Sequence, residues 1–228
     1  MIAATESVAS INSKDLACVV CQAHSVRLLI NVDDRTYHRC DRCDATFLDP
    51  AQLPGSDEER AHYATHENDP ADLRYRTFLS RLSVPLLERL RPGLSGLDYG
   101  CGPGPALAQM MREAGHSMTT YDPFFAADQA TLEMSYDFVT CTEVVEHFHT
   151  PFAEFRQLDQ LLRPGGWLGV MTMFQTQDAR FANWHYRKDS THVVFYRETT
   201  MQRIAEDLGW SCEIPAQNIA LFRKRNSD

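Results

Sequence analysis

Two sets of residues in this 228-residue chain have the types and spacing that chemistry would need. The first is Leu97-Asp98-Tyr99-Gly100-Cys101-Gly102-Pro103-Gly104, a D-x-G-x-G-x-G string leading into the helix-compatible stretch 105–113. A strand that ends on a carboxylate and turns through alternating glycines into a helix N-terminus leaves backbone N–H groups that no Cβ shields. Nucleotide-like ligands bind such turns. The acid selects among them: Asp98 beside the turn would repel a pyrophosphate and attract a ligand with positive charge, unlike the G-x-G-x-x-G order that serves dinucleotides. A second acid, Asp122, ends the short β-like run 117–121. At that position, about twenty residues after the turn, a carboxylate can accept from both hydroxyls of a ribose.

The second set is cysteine. Cys18 and Cys21, then Cys40 and Cys43, form two C-x-x-C pairs with eighteen residues between them. Two such knuckles joined by a hairpin close a tetrahedral thiolate site, the spacing of structural zinc. Residues 26–32 and 35–39 look like the two strands, with Asp33-Asp34 as the turn. Disulfides or scattered buried thiols are the alternative, which a reducing compartment disfavours. His24 and His38 lie close enough to substitute as ligands or to stand at the surface. A site closed by four protein ligands serves folding rather than chemistry. Cys101, Cys141 and Cys212 remain as small apolar side chains.

The D-x-G-x-G-x-G turn and the acid at 122 resemble the class I S-adenosylmethionine-dependent methyltransferases, from about Gly93 to the C-terminus. Leu161-Leu162-Arg163-Pro164-Gly165-Gly166, followed by the apolar run 167–173, is a third match in the right order. In that family a helix closes on L-x-P-G-G and re-enters the sheet as a buried strand. The resemblance implies S-adenosylmethionine as cofactor, held by Asp98, Gly100, Gly102, Gly104, Asp122 and Glu143. It also implies an α/β fold, a doubly wound, mostly parallel seven-stranded sheet, here with a small N-terminal zinc ribbon. The expected organisation is a ribbon at 14–48, a linker and cap at 49–68, and a methyltransferase domain at 69–228.

Elements to position these residues follow from periodicity and turn signals. Asp69-Pro70 reads as an N-cap and first turn, and Tyr75, Leu79, Leu82, Leu86 and Leu90 recur at helical spacing with Pro85 among them. Strands are expected at 94–99, 117–121, 136–141 and 167–173, helices at 104–114, 151–162 and 198–208, and a closing strand pair at 210–214 and 218–223. Only thirteen residues separate Asp122 from Tyr136, too few for the usual helix and third strand, so the adenine pocket should be abbreviated. Tyr63, in the segment before the first of these helices, is the aromatic that the resemblance implies over the cofactor; a solvated helix end is the alternative.

Catalytic candidates come from two loops. Glu143, Glu146 and His147 stand at i, i+3 and i+4, so one helical turn would put them on one face. The E-V-x-E-H string resembles the ubiquinone-pathway O-methyltransferases, which implies a magnesium ion or a substrate hydroxyl at these three residues; helix capping and packing is the alternative. The segment 181–196, rich in aromatics, His, Asp and Arg, looks like W-x-Y-x-x-D-x-T-H-x-x-F-Y segments of bacterial methyltransferases of undefined substrate. It should overhang the reacting methyl; an RNA-stacking surface or a stripe of core aromatics is the alternative. A hydroxyl or amine nucleophile gains from a base of near-neutral pKa, so His192, then His185, with His147 a third choice, are the candidate bases.

Bulk properties bound the partners. A hydrophobic content of 43% over 228 residues supports a core of ordinary size. The net charge of −9 argues against a long grip on nucleic acid, leaving a small-molecule methyl acceptor, O- or N-directed, as the expected substrate. An RNA-modifying enzyme is the runner-up, since some rRNA guanine methyltransferases carry a zinc ribbon. A non-catalytic module that recruits a protein partner through the ribbon is the third reading. Residues 1–13 show neither a basic cluster nor an apolar run, so no membrane attachment and a cytoplasmic location are expected.

Overall fold

The computed structural model describes residues 16–65 and 69–226. The first residues of the expected ribbon, 14 and 15, the stretch 1–13, and His66, Glu67 and Asn68 of the expected cap lie outside the described residues. The chain opens with a hairpin, β1 (Val26–Val32) and β2 (Arg35–Cys40), joined by Asp33-Asp34. Both turn residues have positive φ, 51° and 59°, the type I′ geometry that matches strand twist. β3 (Thr46–Leu48) pairs antiparallel with β2. A short 3-10 turn at Pro50–Gln52 and helix α1 (Ser56–Tyr63) then occupy the stretch expected as linker and cap.

Helix α2 (Leu73–Leu87) buries Leu79, Leu82 and Leu86, as the periodicity requires, and holds Pro85 inside it. Its cap is Asp72, which accepts from the Arg74 N–H at 2.8 Å; Asp69, the expected cap, closes a separate turn by accepting from Ala71 N–H at 2.8 Å. β4 (Ser95–Tyr99), α3 (Ala106–Glu113) and β5 (Ser117–Tyr121) follow. β6 (Tyr136–Thr142), α4 (Pro151–Leu161) and β7 (Leu162–Met171) come next. Then come the short α5 (Asp178–Phe181), β8 (Val194–Phe195), α6 (Glu198–Leu208), β9 (Ser211–Ala216) and β10 (Ile219–Arg223).

The main sheet runs β5-β4-β6-β7-β10-β9, with the first four strands parallel and the closing pair antiparallel. It has six strands rather than the seven expected. The missing one would have come from 123–135, where the chain makes only a bridge between Asp122 and Ala126 and a 3-10 turn at Gln129–Glu133. β5 is therefore an edge. β7 begins five residues earlier than expected, because the Pro-Gly-Gly run stays in the ladder, with an irregular register between Tyr136 and Phe138 of β6. Gly165 there takes φ 77°. Central strands are buried on both faces, β6 through Tyr136, Phe138, Val139, Thr140 and Cys141, as helix-covered parallel strands must be. Leu79, Leu82, Leu86, Leu107 and Met111 of α2 and α3 cover one face. Phe155 and Leu158 of α4 with Met201 and Ile204 of α6 cover the other.

The ribbon joins this core directly. β3 pairs antiparallel with β8, Thr46 opposite Phe195 and Phe47 opposite Val194, so the small sheet runs β1-β2-β3-β8. Tyr37, Phe47, Phe181 and Phe195 belong to one buried cluster with the main sheet. No helix among the described residues is long and apolar enough to cross a membrane.

Candidate active site and metal centre

β4 ends at Tyr99 and the chain leaves it through Gly100 (φ 78°) and Gly102 (φ 64°). A Cβ on Gly100 would sit 2.4 Å from Val144 Cγ2, so the left-handed backbone and the approach of the loop after β6 both require glycine. Gly102 N–H donates to Asp122 Oδ2 at 3.0 Å, while Asp122 Oδ1 accepts from the N–H groups of Phe124 (2.8 Å) and Phe125 (3.1 Å). Asp122 thus braces the glycine turn against the loop after β5. A cavity of about 630 Å³ opens over the C-terminal strand ends, where parallel sheets bind ligands. Its floor includes residues 100–103, 122–125 and 142–144.

Two residues expected at the cofactor, Asp98 and Gly104, do not line this cavity. Asp98 is 4% exposed and accepts from the Thr140 hydroxyl at 2.7 Å. Burial pushes its carboxyl up to about 6, although the Thr140 bond opposes the rise. It stands beneath the turn and ties β4 to β6. The carboxylates that face the ligand space beside the turn are Asp122 and Glu143.

Helix α1 forms the roof. His62 Nε2 lies 3.1 Å from Asp189 Oδ2, and His149 Nε2 lies 3.0 Å from Glu59 Oε1, so α1 is tied to the loops after both β6 and β7. Tyr63, the expected aromatic, lines the cavity with its ring edge-on to His147 at 5.1 Å and 5.5 Å from Phe124.

The far wall carries the imidazoles. His192 Nδ1 lies 2.7 Å from the Tyr186 carbonyl oxygen, and His147 Nδ1 3.0 Å from that of Thr191. A carbonyl only accepts, so each Nδ1 bears the proton and each Nε2 is the basic nitrogen. Asp189 Oδ2 lies 3.8 Å from His192 Nε2. Burial would raise the Asp189 carboxyl, but the Thr191 N–H and hydroxyl, with His192 and His62, hold it down to about 2. It stays ionised. His185, the second candidate base, is exposed and absent from the lining.

Glu143, Glu146 and His147 are not gathered on one helical face as expected. Glu143 takes φ 51° and only a 3-10 turn, Val145–His147, follows it. The Tyr186 hydroxyl reaches Glu143 Oε2 at 3.1 Å, Thr172 Oγ1 at 3.0 Å, and Glu146 Oε1. Burial raises both carboxyls, Glu143 to about 7 against the Tyr186 bond, and Glu146 well above its ordinary range with help from the Glu143 charge. Glu143 faces the cavity; Glu146 is fully buried and meets His147 and His192 instead. The expected magnesium set is therefore not assembled. Tyr186 and Asp189 fall in the segment expected to overhang the methyl, without individual roles, whereas Glu59, His149, Phe124 and Phe125 lie outside the expected site residues. Pro123-Phe124-Phe125 directly after Asp122 is the readable signal for the last two.

The four N-terminal cysteines do converge, with their sulfurs within 4.8 Å of one another and the Cys18–Cys43 and Cys21–Cys40 pairs each at 3.6 Å. Zn–S bonds of about 2.3 Å in a tetrahedron require sulfur edges of about 3.8 Å, so the donor set fits zinc. The knuckles repeat each other. Gln22 and Asp44 after each pair have φ 59°, Gln22 N–H donates to Cys18 O at 2.9 Å, and Asp44 N–H donates to Cys40 O at 3.0 Å. The sequence carries this as a C-x-x-C-x-A repeat. His24 is exposed and His38 pairs with Asp49 at 2.9 Å, so neither joins the cluster.

The methyltransferase domain family matches residues 66–213. The chain belongs to that family. Its fold agrees: the 1,6-didemethyltoxoflavin-N1-methyltransferase of Burkholderia thailandensis, solved with 1,6-didemethyltoxoflavin and S-adenosylhomocysteine, superposes with TM-score 0.54 at 15% identity, covering 88% of this chain and 100% of that one. The ubiquinone biosynthesis O-methyltransferase of Nitrosospira multiformis is 30% identical over 132 residues, 47% of this chain and 51% of its own. That of Xanthomonas axonopodis pv. citri is 33% identical over 119 residues, 40% and 48% respectively. The chain spans about half the length of these curated relatives. Family and fold together make this chain a methyltransferase domain of the doubly wound α/β type.

Proposed function

We propose that this methyltransferase transfers a methyl group from S-adenosylmethionine to a hydroxyl or amine of a small molecule. One observation carries the reading: a single cavity runs from the glycine turn, braced by Asp122, to His192. When bound, the cofactor supplies an electrophilic methyl on a sulfonium. Gly100, Gly102, Asp122 and Glu143 are the residues to hold its polar groups, with Phe124, Phe125 and Tyr63 against its apolar parts. His192 Nε2 takes the proton of the acceptor. The ionised Asp189 beside it then stabilises the imidazolium, and α1 keeps water out.

The lining supports a small acceptor. Five carboxylates, Glu59, Asp122, Glu143, Glu154 and Asp189, border the cavity, and no Lys or Arg does among the described residues. Such a space repels a polyphosphate chain, which weighs against RNA. The relatives named for O-methylation and the neighbour named for N1-methylation both fit a protonated nucleophile. The intact turn opposes a purely structural role. We further infer one zinc at Cys18, Cys21, Cys40 and Cys43, contributing folding free energy and no chemistry; reduced thiols suit the cytoplasm.

The test is incubation with methyl-labelled S-adenosylmethionine and the small-molecule and RNA fractions of a cell extract. Label should enter the small-molecule fraction and fall away with His192→Ala. Label confined to RNA would favour the runner-up, and label in neither fraction would overturn the proposal.

A further inference from the structure

The tip of the β1–β2 hairpin is built where it meets the acceptor wall. Asp33, held in a left-handed conformation, accepts from Arg187 Nη2 at 2.7 Å, and Arg35 Nη1 donates to the Ser190 carbonyl at 2.9 Å. Arg187 is 2% exposed. Its Nη2 also donates to Ala182 O at 2.9 Å, its guanidinium lies 6.0 Å from the Tyr37 ring, and its Nε has no partner among the described residues. A buried guanidinium needs a counter-charge, and Asp33 is the carboxylate paired with it.

Arg187 and Ser190 bracket the functional residues of the wall. Tyr186, next to Arg187, supplies the carbonyl that fixes the His192 proton on Nδ1, and Thr191, next to Ser190, does the same for His147. Further along, β3 holds the wall again: Leu48 N–H donates to Val193 O at 2.8 Å, and β3 pairs with residues 194 and 195. Ribbon attachments thus fall on both sides of Asp189 and His192. Among the described residues, no ribbon hydrogen bond reaches the glycine turn or the loop after β5.

We propose that the ribbon is a positioning element for the acceptor half of the site, with Arg187 acting through the Tyr186 carbonyl to set the tautomer and direction of His192. The proposal rests on the reading of His192 as the base. It makes the metal centre matter to the acceptor side while leaving the cofactor side alone.

Asp33→Asn in the full, zinc-loaded chain tests it, because Asn tolerates the left-handed turn and only the charge is lost. Amide exchange over 186–193 should quicken about tenfold, as for a segment whose charged anchor is reduced to a neutral hydrogen bond. The ¹⁵N imidazole signals of His192 should move from one Nδ1–H tautomer to a mixture, and S-adenosylhomocysteine affinity should stay within about twofold by calorimetry. Arg35→Ala should act in the same direction and serves alone if Asp33→Asn fails to fold. Asp41→Asn, which breaks the exposed Arg27–Asp41 pair at the other end of the hairpin, should change none of these. Unchanged exchange and imidazole signals, or equal acceleration through 97–104, would overturn the proposal. Failure of the native chain to bind S-adenosylhomocysteine would instead sink the methyltransferase reading, with exchange and tautomer still deciding this one.

Discussion

Glu143→Gln should stabilise the protein at alkaline pH and do little in acid. Burial holds the Glu143 carboxyl up at about 7 from an ordinary 4.5. The folded state therefore binds this proton more tightly than the unfolded state. The contribution is most favourable below about pH 4.5 and is lost as pH rises through 7, where burial of the charge is only partly offset by the Tyr186 bond and the Arg81 charge. At 1.36 kcal/mol per pH unit, the gap corresponds to a penalty of about 3 kcal/mol above pH 7. Glutamine mimics the protonated acid and can donate to the Tyr186 oxygen that Glu143 meets at 3.1 Å. Thermal melts of native and variant chains, both zinc-loaded, should differ by roughly 6–12 °C at pH 8.5 for a chain of this size, and by little at pH 5. The same change should weaken cofactor binding, a trade of stability for function. A variant no more stable at pH 8.5, or equally stabilised at both pH values, would refute the reasoning.

Metal analysis should find about one zinc per chain, lost with Cys40→Ser. With an acceptor in hand, His192→Ala should lower turnover by roughly 10² to 10⁴ while cofactor affinity holds; His185→Ala, at an exposed site, should leave both unchanged. Asp98→Asn keeps an acceptor for the Thr140 hydroxyl and should perturb S-adenosylhomocysteine affinity less than Asp122→Ala, as read by calorimetry.

What could be read from sequence was local. The glycine turn, the two C-x-x-C pairs and the alternation of strands and helices depend on neighbours a few residues apart, and each stands where spacing put it. Depth was not readable: Asp98 and Asp122 look equivalent as strand-end acids, yet one ties strands together beneath the turn and the other faces the cavity. Spacing also misled at 143–147, where an α-helical offset was assumed and a left-handed Glu143 intervenes. Helix α1 has no apolar stripe and owes its place to the Glu59–His149 and His62–Asp189 pairs, which join residues 90 and 127 positions apart. The pairing of β3 with β8, which ties the N-terminal strands to the segment after β7, is likewise a long-range contact that no local pattern announces.

The proposed site for S-adenosylmethionine is the cavity over the strand ends, at the turn that Asp122 braces. Calorimetric titration of S-adenosylhomocysteine into the zinc-loaded chain tests it most directly. Micromolar binding is expected, with no comparable heat from NAD and at least tenfold weaker binding for Asp122→Ala. No heat from S-adenosylhomocysteine, tighter binding of NAD, or full affinity in Asp122→Ala would contradict it.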